Sequence, residues 1–147
     1  MKVMIVTGTP GTGKTTIAKR MAKKYKAEYI DVNVVIKEHK LRESYDKKRK
    51  SYVVDIKKLN KVLVKLIVNA RKSKKSLVID SHLSHYLPAK HVDVCYVTKT
   101  SLKKLKKRLQ KRGYGKHKIE ENMQCEIFDV CLMEAKEAGH NVKVITT

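Results

Sequence analysis

The chain has 147 residues, 41% hydrophobic and 5% aromatic, with 35 Lys and Arg against 14 Asp and Glu and a formal net charge of +21. That length fits one domain with a real core, and no apolar run reaches the roughly 20 residues a membrane span needs, since 62–68 is broken by Lys65. Cys95, Cys125 and Cys131 contain no Cys-x-x-Cys pair, which excludes a disulfide framework and a cysteine zinc site, and no charged leader precedes the first apolar run, so a cytoplasmic location is expected.

The chain opens on the apolar run Val3-Met4-Ile5-Val6, which reads as a buried strand. It turns through Gly8, Gly11 and Gly13 into Lys14-Thr15-Thr16 and then into good helix formers from Ile17 to Ala22. Gly-x-x-x-x-Gly-Lys-Thr between a strand and a helix is a phosphate-binding loop. Its backbone N–H groups must curl around phosphate oxygens, and the helix adds the positive end of its dipole. Gly11, Thr12, Gly13, Lys14, Thr15 and Thr16 are therefore the expected ATP ligands. Lys14 would reach the β- and γ-phosphates and the Thr15 hydroxyl would hold Mg²⁺.

Residues 25–31 lead into a short second strand, and Val34-Val35-Ile36-Lys37-Glu38 has the makings of a short helix before a mobile loop to residue 52. Asp55 reads as an N-cap for a helix running to about Ala70, with Ile56, Leu59, Leu63, Leu66 and Ile67 at helical spacing. Leu77-Val78-Ile79-Asp80 is a third strand ending in a carboxylate. In an open α/β sheet the carboxyl ends of the strands line the ligand crevice. Asp80 is thus expected beside the phosphate loop as the second Mg²⁺ residue, with His82 close enough to position a water or touch the γ-phosphate. A metal shared by His82 and His85 lacks further ligands at suitable spacing.

Residues 92–97 make a fourth strand; Leu102, Leu105 and Leu109 mark one face of a basic helix stopped by Gly113. Arg112 stands beside the flexible Gly113-Tyr114-Gly115, where a cation on a flap can close over ATP. One long helix is expected from about Ile119 to Ala138, then a last strand, 142–145. Strands alternating with helices imply a three-layer α/β fold: a parallel five-stranded sheet with helices on both faces and right-handed crossovers.

Charge is unevenly placed. The first 118 residues carry 33 basic and eight acidic side chains, whereas 119–147 carry two lysines and six acids. Such a field attracts polyanions and predicts salt-sensitive association with RNA. A lysine-rich solvated surface, for example one adapted to heat, is the alternative.

Four stretches, 7–16, Asp80-Ser81-His82, Arg112-Gly113-Tyr114 and Asn122-Met123-Gln124-Cys125-Glu126-Ile127-Phe128, resemble the adenylate kinase isoenzyme 6 family, the small adenylate kinases and ATPases also called coilin-interacting nuclear ATPase. The resemblance runs in the same order through nearly the whole chain, residues 1–147. It implies an adenylate-kinase-like P-loop NTPase fold with a nucleoside-monophosphate-binding insertion at about 31–54 and a lid at about 111–121. It implies conversion of ATP and AMP to two ADP, hydrolysis of ATP, and assistance in maturing the small ribosomal subunit with ribosomal protein uS11 and pre-rRNA as partners. Lys14, Asp80, His82 and Arg112 would be catalytic; Asp31, Asn33, Lys37, Tyr45 and Asp46 would bind AMP.

The insertion departs from the family. Its Asn-Val-Gly-Asp reads Asp31-Val32-Asn33-Val34, Lys37 replaces an arginine, and lysines replace an acidic tendency. Lysine cannot make the bidentate phosphate contact of arginine, so AMP affinity and rate are the properties this departure bears on. An ATP-gated assembly factor with little kinase activity and a kinase of another small metabolite are the alternatives on the same fold.

Overall fold

A computed structural model describes residues 1–147. Five parallel strands form the central sheet: β1 (Val3–Gly8), β2 (Glu28–Asp31), β5 (Leu77–Asp80), β6 (Val94–Lys99) and β7 (Val142–Thr146), in the spatial order β2-β5-β1-β6-β7. A separate antiparallel hairpin pairs β3 (Arg42–Asp46) with β4 (Ser51–Val54). The helices are α1 (Lys14–Lys24), α2 (Val32–Glu38), α3 (Ile56–Lys72), α4 (Leu102–Lys111), α5 (Lys116–Ile127) and α6 (Val130–Glu137), with single 3₁₀ turns at Ser84–Tyr86 and Ala89–His91.

The central strand is fully buried because it is covered on both faces, which is why it reads as a continuous apolar run. Alternate side chains divide between two cores. Val3 and Ile5 join Leu77, Ile79, Cys95 and Val97 under Leu59, Leu63 and Ile67 of α3. Met4 and Val6 join Val78, Val94 and Tyr96 under Ile17, Ala18 and Ala22 of α1. Each of the three buried α3 side chains contributes about 1.5–3 kcal/mol by leaving water. Asp55 caps α3 as expected, accepting from the Lys57 and Lys58 backbone N–H at 2.9 and 3.4 Å.

The strand order places the ligand edge. β1 lies between β5 and β6, with Val6 level with Asp80 and Gly8 level with Thr98. The chain leaves β1 toward β2 on one side and later crosses to β6 on the other, so the loops after β1 and β5 part around a crevice.

Two expectations are corrected. The mobile loop expected up to residue 52 is instead the β3–β4 hairpin. Tyr45 and Tyr52 face each other across it with ring centroids 5.1 Å apart, and Asp46 Oδ1 accepts from Lys48 N and Arg49 N to close the turn. The single long helix expected over 119–138 begins at Lys116 and is broken between α5 and α6. Asp129 is left-handed there (φ 52°), where Lys99 of β6 forms ion pairs with Asp129 and Glu126.

Candidate active site

The phosphate loop owes its shape to positions where a side chain is impossible. Gly11 has φ +94°, and a Cβ there would lie 2.9 Å from Leu105 Cδ1 of α4. Gly8 has φ +149°, and its Cβ would lie 2.8 Å from the Thr98 carbonyl. Inside the loop the buried Thr12 hydroxyl donates to Thr9 O at 2.6 Å and lies 2.7 Å from Thr98 Oγ1. Gly13, also left-handed, starts α1.

Lys14 Nζ donates to Gly8 O at 3.1 Å and Thr9 O at 3.4 Å, so the ammonium rests on the loop's own carbonyls. Burial pushes its pKa down to about 8, with the Arg112 cation adding to the fall and Asp80 opposing it. Below about pH 8 the group is a cation that attracts phosphate; above it the attraction is lost. The kcat/KM for ATP is therefore expected to fall about tenfold per unit above pH 8, while kcat holds to higher pH because bound phosphates raise the pKa again. Initial rates across pH at limiting and saturating ATP check this.

The Thr15 hydroxyl donates to Asp80 Oδ2 at 2.8 Å, bringing together the two residues expected at Mg²⁺. Tyr29 of β2 also donates to Oδ2, at 2.6 Å. Desolvation, then the hydrogen bond and charge of Asp80, raise the Tyr29 pKa, so the phenol stays a donor at neutral pH. Asp80 Oδ1 makes no hydrogen bond to protein. A hydroxyl and a carboxylate with a spare oxygen fit a hard cation that keeps most of its waters.

His82 is exposed, and its ring makes no hydrogen bond to protein. The surrounding walls, then Lys14 and His85, lower its pKa, so it is neutral at pH 7. His85 is committed elsewhere: Nδ1 lies 2.7 Å from Thr7 Oγ1 and Nε2 lies 3.0 Å from Glu134 Oε2.

A cleft of about 520 Å³ opens beside the loop between Gly11, Gly13, Thr16, Arg20, Arg108 and Arg112. Arg112, exposed at the end of α4, lines it. Arg108 of the same helix donates to Gly11 O at 3.2 Å and Thr147 Oγ1 at 3.1 Å.

The AMP candidates lie in two groups that share no hydrogen bond or ion pair. Asp31 caps α2, accepting from Asn33 N at 2.9 Å, and Lys37 is exposed in that helix's last turn. Tyr45 is half exposed on the hairpin, and Asp46 holds the turn. The hairpin and α5 meet through Arg49 and Glu121 at 3.5 Å.

Tyr29 and Arg108 were missed: they reach Asp80 and the loop from across the sheet and from a neighbouring helix, and no local pattern announces that.

The parallel sheet and the phosphate loop between β1 and α1 define a P-loop kinase-like domain. A family model for an AAA domain matches residues 4–129. Adenylate kinase isoenzyme 6 homologues from Dictyostelium discoideum and Schizosaccharomyces pombe are 35% and 38% identical, each over 92% of this chain and 74% of their own length. A Methanocaldococcus jannaschii relative, named provisionally as an adenylate kinase, is 39% identical over 89% of this chain and 70% of its own. The chain belongs to the adenylate kinase isoenzyme 6 family. An uncharacterized Eubacterium ventriosum protein of known structure shares the fold, with a TM-score of 0.62 at 11% identity over 99% of this chain and 88% of its own.

Proposed function

We propose that this chain transfers the ATP γ-phosphoryl to AMP, giving two ADP, and transfers it to water when no acceptor is bound. The observation that carries this is the Thr15–Asp80 contact beside the Lys14 ammonium. ATP phosphates would lie on residues 11–16, with the nucleoside in the cleft toward Arg112. Thr15 and Asp80 would hold Mg²⁺, which neutralises β- and γ-oxygens when bound. The bond from γ-phosphorus to the β–γ bridging oxygen breaks as a phosphate oxygen of AMP bonds to that phosphorus. Lys14 and Arg112 stabilise the charge moving onto the leaving ADP. Neutral His82 can orient a water, which accounts for hydrolysis. Asp31, Asn33, Lys37, Tyr45 and Asp46 would bracket AMP once the two groups close.

A coupled ADP-release assay with and without AMP tests this. ADP formation is expected to rise with AMP and not with CMP, UMP or small alcohols; equal rates with and without AMP would leave only the ATPase.

A second reading is an ATP-gated factor for the small ribosomal subunit, acting in the cytoplasm on uS11 and pre-rRNA. No helix is long and apolar enough to cross a membrane. Support comes from the basic surface: of the lysines and arginines, ion pairs engage only Arg49, Lys58, Arg71 and Lys99. α4 exposes Lys103, Lys104, Lys106 and Lys107 without an acid. Affinity for a single-stranded RNA oligomer is expected to fall with salt, and replacing those four lysines by alanine to cut the log–log slope by about 2.8. An unchanged slope in fluorescence-anisotropy titrations would remove α4 from this reading.

A further inference from the structure

The Asn122-to-Phe128 stretch buries one carboxylate, Glu126, which is 5% exposed. An unpaired charge at that depth is costly, so its partners carry information. Oε1 accepts from Thr9 Oγ1 at 3.2 Å and Lys99 Nζ at 2.8 Å, and Oε2 from Thr100 N at 3.0 Å. Thr9 belongs to the phosphate loop. Its carbonyl accepts from Thr12 Oγ1 and Lys14 Nζ while its hydroxyl is held by Glu126. Glu126 stands near the end of α5, whose first turns fall within residues 111–121, the stretch expected to be the lid. One helix therefore runs from that stretch to a hydrogen bond with the loop that carries Lys14.

We propose that Glu126 is a positioning residue for phosphoryl transfer, acting through Thr9 to couple the lid helix to the phosphate loop. When ATP arrives, Lys14 must leave the Gly8 and Thr9 carbonyls for the phosphate oxygens. Glu126 keeps Thr9 in place during that exchange, so the loop does not follow the lysine. The same contact gives α5 a fixed end about which the lid closes. The proposal rests on the phosphotransferase reading for its rate effect, but not for the mechanical coupling.

Thr9→Val removes the hydroxyl at nearly constant shape, and Thr9→Ser restores it. Thr9→Val and Glu126→Gln are expected to lower kcat about 10- to 100-fold, with a smaller change in KM for ATP, because sub-ångström misplacement is felt in the transfer step. Thr9→Ser should recover most of that loss. Amide hydrogen exchange supplies a readout independent of the acceptor. In the wild type, ATP with Mg²⁺ should slow exchange in both 8–14 and 111–121; in Thr9→Val it should slow the loop and not the lid. Should Glu126→Gln fail to fold, Thr9→Val and Thr9→Ser carry the test alone. A Thr9→Val protein with a lowered melting temperature but wild-type kcat and wild-type lid protection overturns the proposal, leaving Glu126 a structural pin. If the wild type phosphorylates no acceptor, the kinase reading fails while the exchange comparison still decides the coupling.

Discussion

Lys14→Ala is expected to lower ADP formation by about a thousandfold, the scale of losing a preorganised charge that faces the transferring phosphoryl. Arg112 follows the end of α4, and Arg108 donates to the Gly11 carbonyl and Thr147, so neither replaces an ammonium held at the Gly8 and Thr9 carbonyls. The substitution should leave the fold intact. Folding lowers the Lys14 pKa from 10.5 to about 8, so at pH 7 the folded state disfavours this cation relative to the unfolded chain. Removing the charge therefore relieves a penalty, and the melting temperature should hold or rise. Activity and thermal unfolding measured on one preparation separate the two effects. Turnover above a tenth of wild type would show that the loop lysine is not the charge that matters.

Asp80→Asn is expected to cost about a hundredfold or more in turnover and to raise the Mg²⁺ concentration needed for half-maximal rate. Thr15 and Tyr29 both donate to Oδ2, which fixes the carboxylate's orientation and leaves Oδ1 without a protein partner, where the waters of the proposed Mg²⁺ would bind. The amide keeps the shape and loses the charge, so the defect should lie in metal use more than in folding. Tyr29→Phe removes one of the two orienting donors and keeps the charge, so a loss of only a few fold is expected there. Mg²⁺ titrations of ADP formation on both variants check the ordering. Equal losses would mean that orientation, rather than charge, is what Asp80 supplies.

These two residues were legible in the sequence for different reasons. Lys14 follows from local spacing, because an apolar run, three glycines and a helix are a contiguous signal. Asp80 follows from topology, because a strand-terminal acid in a parallel sheet must lie at the crevice. What escaped depends on distant partners. The Tyr45–Tyr52 pair that helps stabilise the hairpin forms only across strands, so a polar, lysine-rich stretch looked like a loop. The break between α5 and α6 is tied to Lys99, some 30 residues earlier in the chain, and helical periodicity carries no trace of it. Tyr29 reaches Asp80 because β2 and β5 are neighbours, although roughly 50 residues separate them.

The hairpin bonds its backbone only to itself and adds no strand to the main sheet. On the proposed reading this hairpin helps receive the acceptor. A unit whose strands pair only with each other can change its outward side chains while the sheet and the loop beneath keep theirs, so acceptor preference and donor grip would be free to evolve separately.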